Sequence, residues 1–194
     1  MNETAIIEIY TEQTPNPESL KFVTNRMLVK GRSIDCREVK SADEVPLAKE
    51  FFSYPYVNGV FIANNFVTIS KKAGYDWNEI VPEVKTFLNN YIMQDKPVVS
   101  ENYKSPALSQ PDSSDKGIEI EERIKELLET YVKPAVEMDG GAIQFKSFNE
   151  GVVTLILQGS CSGCPSSVVT LKAGIEGMLK RMVPEVKEVV AESL

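Results

Sequence analysis

Alternating and helical patterns of apolar residues divide the chain into two parts. In the N-terminal part, short apolar runs predict strands near residues 7–9, 20–24, 34–39, 57–62 and 66–70. Asn64 and Asn65 separate the last two runs, and asparagine tolerates the positive φ of a tight turn. Pro46–Phe52 is predicted as a short helix, and Asp76 is placed to cap a longer helix that ends near Tyr91.

The C-terminal part has a simpler pattern. Apolar residues recur at helical spacing over 120–131, and Asp139-Gly140-Gly141 ends that unit. Alternation over 143–146 and 153–157 predicts a hairpin that turns at Asn149-Glu150-Gly151, and a second amphipathic helix and a last strand follow over 168–182 and 186–190. The predicted order is α-β-β-α-β, and the chain as a whole is expected to be α+β.

A change of composition separates the two parts. Residues 97–117 are rich in proline and serine and have no apolar periodicity, which is typical of a flexible linker that proline stiffens locally. We therefore expect two small α+β domains, over residues 1–96 and 118–194.

Composition excludes several classes of function. The chain has 194 residues, a net charge of −7 and no histidine, so Ser-His-Asp and Cys-His catalysis and His-containing zinc sites are excluded within one chain. An acidic chain without a long basic run is a poor partner for nucleic acid or for an anionic membrane surface. Phe51–Ser70 is uncharged, but its three asparagines favour a buried hairpin over a membrane span. The first residues show no signal or transit pattern, which favours a cytoplasmic location.

The candidate chemistry lies in the segment from Gly159 to Pro165, which contains Cys161 and Cys164. This segment leaves a predicted strand and enters a predicted helix, where proline suits the first helical position. The N–H groups and the positive end of that helix are expected to stabilise thiolates and to lower their pKa. Two buried structural cysteines are the less favoured interpretation of such a glycine-flanked pair.

A single C-x-x-C pair fits iron–sulfur ligation, zinc ligation and dithiol–disulfide exchange. A [4Fe–4S] cluster or a Cys-only zinc site needs four thiolates, whereas redox exchange needs only the pair. Cys36, the third cysteine, alternates with Asp35 and Arg37 in a predicted strand, which favours a half-buried thiol over a ligand. The simplest way to reach four ligands is that two chains each contribute Cys161 and Cys164 about a two-fold axis.

Several segments resemble one family. Those of the second part are Cys161–Ser167 (CSGCPSS), Leu171–Glu176 (LKAGIE), Pro184–Val186 and Met138–Gly141 (MDGG), and those of the first part are Gln13–Phe22 (QTPNPESLKF), Gly59–Ile62 and Phe66–Ile69. With these segments, the second part is similar to the C-terminal domain of NifU, the Nfu-type iron–sulfur scaffold and carrier, and the first part resembles the Nfu N-terminal domain. One departure is Ala142, where the family often has an acidic residue.

The resemblance implies transient assembly of a [4Fe–4S] cluster at a homodimer interface and its transfer to apo-proteins, with upstream cluster-assembly machinery as a further partner. Cys161 and Cys164 are then the cluster ligands, and the protein is a binding and delivery protein, not an enzyme. The alternative is a small dithiol–disulfide oxidoreductase in which Cys161 attacks and Cys164 resolves. A dimer that shares a structural zinc is a weaker third possibility.

Overall fold

The computed structural model describes residues 6–101, 103, 115–162 and 165–193, with side chains for all of these except 115–118, 162–167 and 193. Its contacts define two compact units, residues 1–105 and 106–194. Both combine helices with a sheet, so the predicted α+β class is confirmed. None of the helices in the described part of the chain is long and apolar enough to cross a membrane.

The N-terminal unit is an antiparallel sheet of five strands with two helices. The strands lie in the order β1-β2-β5-β4-β3. They are β1 Ile9–Gln13, β2 Ser19–Thr24, β3 Ser33–Cys36, β4 Val57–Ala63 and β5 Phe66–Lys71. A 3₁₀ turn over Val39–Ala42 and helix α1, Pro46–Phe51, connect β3 to β4, and helix α2, Trp77–Met93, follows β5.

The core of this unit lies between the sheet and its helices. Leu20 of β2 pairs with Ile69 of β5, and both belong to a buried cluster that also contains Val84 and Leu88 of α2. Asp76 caps α2 as predicted, because its side chain accepts a hydrogen bond from Asn78 N at 2.8 Å. The hairpin turn is also confirmed, since Asn64 adopts a φ of 46°.

The first residues of the segment predicted as linker pack on this core. Val98, Val99 and Tyr103 contact the buried cluster, and Ser100 N donates to Glu44 O at 2.9 Å. The remaining segment, 104–114, lies outside the described residues.

The C-terminal unit contains a three-stranded sheet. Helix α3, Asp115–Leu127, continues through a π-helical turn at Leu128–Val132 into helix α4, Lys133–Met138. Strands β6, Gly141–Asn149, and β7, Val152–Gly159, form the predicted hairpin. Helix α5, Pro165–Met182, returns the chain so that β8, Glu188–Ser193, pairs with β7 in parallel.

The helices cover one face of this sheet and fix both ends of the cysteine-containing segment. Leu155 and Leu157 of β7 are buried in one cluster with Ile124 of α3 and with Ile175 and Leu179 of α5. Because β7 leads into the cysteine segment and α5 leaves it, their packing holds the segment at one end of the central strand.

Candidate functional site

The cysteine segment forms a short turn between a strand and a helix, as the sequence predicts. β7 ends at Gly159, whose φ of 67° favours glycine. A 3₁₀ turn over Ser160–Ser162 places Cys161 just beyond the strand, and α5 begins at Pro165. Cys164, the second predicted ligand, lies outside the described residues.

Hydrogen bonds from Ser160 hold this turn against the end of α4. Ser160 is buried, its hydroxyl donates to the carbonyl of Asp139, and its N–H donates to Gly140 O at 3.4 Å. The same hydroxyl oxygen lies 3.9 Å from Cys161 Sγ. The Asp139-Gly140-Gly141 turn therefore positions the cysteine backbone as well as ending the helical unit.

Gly141 lies directly against the Cys161 thiol. A Cβ atom at residue 141 would fall 2.9 Å from Cys161 Sγ and 2.6 Å from the carbonyl oxygen of Gln158, which is closer than real Cβ contacts come. Gly141 pairs with Gly159 at the open end of the hairpin, so neither residue of this pair has a side chain. The position of Cys161 therefore depends on the absence of a side chain at residue 141.

The Cys161 thiol is enclosed, and this corrects the expectation of a lowered pKa. Only 5% of Cys161 is exposed, and burial raises the pKa of its thiol. A hydrogen bond with Ser160 lowers this pKa and the Asp139 charge raises it, but burial is the largest effect. The positive end of α5 does not offset the loss of solvent around the buried thiol.

Cys36, the third cysteine, belongs to the N-terminal unit. It is 1% exposed in the N-terminal core, more deeply buried than the predicted half-buried thiol, and its thiol donates to Ser41 O at 3.3 Å. Burial, with a smaller contribution from the Asp35 charge, raises its pKa to about 11. Across the described residues, no group of three or more cysteine or acidic side chains is arranged to hold a metal ion.

The fold and the site together define a class of protein. Its members have two small α+β domains, and the second domain carries a cysteine-containing turn between a strand and a helix. The family model described as "Scaffold protein Nfu/NifU N terminal" matches residues 9–95, and the model described as "NifU-like domain" matches residues 124–190. The chain belongs to the Nfu-type family of iron–sulfur cluster scaffold proteins, so the predicted family is confirmed.

Two named relatives agree with this assignment, and one solved structure is similar to about half of the chain. The chain is 42% identical over 186 residues to the NFU1 iron-sulfur cluster scaffold homolog, mitochondrial, of Drosophila sechellia. The match covers 93% of this chain and 63% of that protein. It is 38% identical over 182 residues to the Homo sapiens protein of the same name, with 93% of this chain and 70% of that protein covered. The solution NMR structure of a NifU-like protein from Saccharomyces cerevisiae is 28% identical and covers 53% of this chain and 92% of that chain, with a TM-score of 0.46.

The predicted cytoplasmic location is wrong. The relatives named above share 38% to 42% identity with this chain, and their names state that they are mitochondrial. The prediction rested on the absence of a signal or transit pattern in the first residues, and such an absence does not determine where a protein is located.

Proposed function

We propose that this protein assembles a [4Fe–4S] cluster between two chains and transfers it to apo-proteins. Cys161 and Cys164 of each chain are the ligands, and the cluster is the cargo, not a resident cofactor. The protein is then a carrier and not an enzyme, with apo iron–sulfur proteins as recipients and the cluster-assembly machinery as donor.

The observation that carries this proposal is the environment of Cys36. A cluster held by cysteine needs four thiolates, and the chain has three cysteines. Cys36 ends a regular strand of the N-terminal core and donates to Ser41 O, so we do not count it as a ligand, whereas Cys161 lies in an irregular turn three residues before Cys164. Each chain then contributes two thiolates, and two chains complete the set.

Exposed apolar side chains close to the site in sequence support the association of two chains. Met138 is 71% exposed immediately before the turn that holds Ser160, and Val169 is 67% exposed near the start of α5. A second copy that brings its own cysteines to the same cluster would cover such side chains. Burial of this apolar surface would favour the dimer.

Loading also has a chemical requirement. Iron binds the thiolate, so the buried Cys161 must lose its proton and become accessible when the cluster forms. The hydrogen bonds of Ser160 to the Asp139-Gly140 turn are the contacts that hold the thiol in place before loading. Gly141 and Ser160 therefore act as positioning residues for the ligand.

The dithiol oxidoreductase is less well supported. An attacking cysteine of that class is a partly exposed thiolate with a lowered pKa. Cys161 is buried and its pKa is raised, which favours a ligand that metal binding deprotonates over a free nucleophile.

Anaerobic reconstitution with iron and sulfide tests the proposal. We expect a brown protein with about two irons per chain that runs as a dimer, while the apo form is mainly monomeric. Four irons per chain on a monomer would contradict the shared site. A mixed dimer of one unaltered chain and one Cys161→Ser, Cys164→Ser chain retains two thiolates, and it should not hold a [4Fe–4S] cluster.

A further inference from the structure

A groove in the N-terminal unit has no role in the proposed cluster site. Its volume is about 480 Å³, and it lies beside the end of α1 and along the last turns of α2. Aromatic rings, two carboxylates and one ammonium contribute to its lining: Tyr54, Phe87, Tyr91, Glu50, Glu83 and Lys96.

The aromatic rings form a fixed wall. The Phe87 ring centroid lies 5.7 Å from that of Tyr54 and 5.7 Å from that of Tyr91. The Tyr91 hydroxyl donates to Pro97 O at 2.8 Å, which holds this ring in place. Ring faces of this kind attract cations and also pack against the alkyl stem of a long basic side chain.

The chain's own Lys96 occupies one part of the groove. Its ammonium lies 3.2 Å from Glu50 Oε1 and 5.2 Å from the centroid of the Tyr91 ring. A cation is therefore already seated there between a carboxylate and a ring face. Both side chains of this ion pair are more than 40% exposed, so the pair is weak and can exchange with another cation.

Glu83 provides a second carboxylate that is not neutralised in this way. It is exposed on α2, and within the described residues no lysine or arginine forms an ion pair with it. Burial raises the pKa of the Tyr54 and Tyr56 hydroxyls, and Glu83 raises both further, through its charge and, at Tyr56, also through a hydrogen bond. The Glu83 carboxylate thus leaves negative charge at the end of the groove near Tyr54.

We infer that the groove binds an arginine side chain presented by a partner protein, with Glu83 as its ion partner and Phe87 and Tyr54 as its stacking surface. Arginine fits better than lysine, because its planar guanidinium stacks on rings while it donates to a carboxylate in a fork. The N-terminal unit would then recognise a basic segment of a partner, in a part of the chain separate from the cysteine turn.

The test is an NMR titration of the full chain with Nα-acetyl-arginine amide, and with the neutral citrulline analogue as the matched probe. A single side chain should bind at about millimolar affinity, with shifts centred on residues 83–91. Citrulline should bind about fivefold more weakly or worse. Equal binding of the two probes, shifts located elsewhere, or no shifts at ~50 mM probe would overturn the inference.

Three substitutions sharpen this test. Glu83→Gln should raise the Kd for the arginine probe about fivefold, whereas Glu79→Gln removes the same charge from the same helix outside the groove and should leave the Kd unchanged. Lys96→Gln removes the ammonium that already occupies part of the groove, and it should therefore lower the Kd for the arginine probe. An unchanged Trp77 fluorescence spectrum checks that each variant is folded. If Glu83→Gln and Glu79→Gln have equal effects, the groove is not the binding site.

Discussion

Cys36 and Cys161 are both buried, and burial raises the pKa of both thiols, but their surroundings differ in kind. Cys36 ends the regular strand β3, in a cluster of core side chains, and donates to a nearby carbonyl. Cys161 also belongs to a cluster of core side chains, but it lies in an irregular turn directly against Gly141. The two thiols therefore differ in the backbone around them and not in their burial.

The largest expected contrast between the two thiols is in iron content. Cys161→Ser or Cys164→Ser should reduce iron after reconstitution to background, because each substitution removes two of the four ligands from a two-chain site. Cys36→Ser is the matched control and should retain about two irons per chain. Iron and sulfide analysis of the three variants under one protocol checks this prediction. Loss of the cluster in Cys36→Ser at unchanged stability would make Cys36 a ligand and refute the contrast.

Gly141→Ala should show how closely Cys161 depends on its backbone neighbour. The added methyl would overlap Cys161 Sγ and Gln158 O, so we expect about 1–3 kcal/mol of destabilisation and lower iron loading. Gly174→Ala in α5 is the control, since its Cβ meets nothing within 4 Å and alanine favours a helix. Thermal unfolding followed by circular dichroism, with iron counts, measures both effects.

A second control separates displacement of the thiol from loss of stability. Gly151→Ala also destabilises the C-terminal unit, because Gly151 has a φ of 92° and its Cβ would meet Lys187, but it lies at the opposite end of the hairpin. In a Cys36→Ser, Cys164→Ser background, Gly141→Ala should speed alkylation of Cys161 more than Gly151→Ala does. Equal alkylation rates at equal stability would show that Gly141 supports the fold and not the thiol.

Ser160→Ala should have a smaller effect on the same thiol. It removes the hydroxyl that donates to Asp139 O and leaves that carbonyl without this donor, at a cost of about 1.5 kcal/mol. Alkylation of Cys161 should become faster because the turn is held less firmly. Ser160→Thr retains a hydroxyl and should restore part of the lost protection of Cys161. The same alkylation assay, applied to both variants, measures the difference.

The smallest expected effect is a pH dependence of the free energy of unfolding that the titration of Cys36 causes. Its pKa is about 11 in the fold against an ordinary 9.0, so the unfolded chain loses this proton first. The raised pKa stabilises the fold fully below pH 9, and this stabilisation is lost as the pH rises towards 11. The loss of unfolding free energy between pH 9 and pH 10 is about 1 kcal/mol. The hydroxyls of four tyrosines in the same unit also have raised pKa values and add to this loss as the pH approaches and passes 10: Tyr54, Tyr56, Tyr91 and Tyr103.

Denaturant unfolding followed by the fluorescence of Trp77, the only tryptophan, measures this effect in the N-terminal unit. Cys36→Ala should show a decrease between pH 9 and pH 10 that is smaller by about 1 kcal/mol, while Cys161→Ser should retain the full decrease. A decrease of the same size in Cys36→Ala would assign it to other groups.

Much of the fold could be predicted because its signals are local. Asp76 caps α2, Asn64 turns the β4–β5 hairpin, and Gly151 turns the β6–β7 hairpin, each by a preference of that residue type. The strand order β1-β2-β5-β4-β3 could not be predicted in this way. It brings Leu20 opposite Ile69, and such a distant pairing leaves no mark in the sequence around either residue.

The π-helical turn and the positioning of Cys161 were also missed. The apolar pattern runs through Leu128–Val132 as though the helix were regular, although Pro134, which has no N–H to donate, follows and is consistent with the irregular turn. For the site, the sequence identified the Asp139-Gly140-Gly141 turn and the cysteine turn separately. Only the fold brings Gly141 against Cys161, because their contact depends on the register of β6 on β7.

The position of the Ser160–Asp139 contact at the mouth of the β6–β7 hairpin has a consequence for the order of folding. The two residues are 21 positions apart, so this contact can form together with the local hairpin. The pairing of β8 with β7 is less local, because the whole of α5 lies between these strands. Local hairpins form within microseconds, ahead of parallel pairings. The turn that precedes Cys161 can therefore form early, whereas the thiol itself is enclosed only when α5 packs on the sheet, so a folding chain exposes this sulfur to oxidants and metal ions until that step.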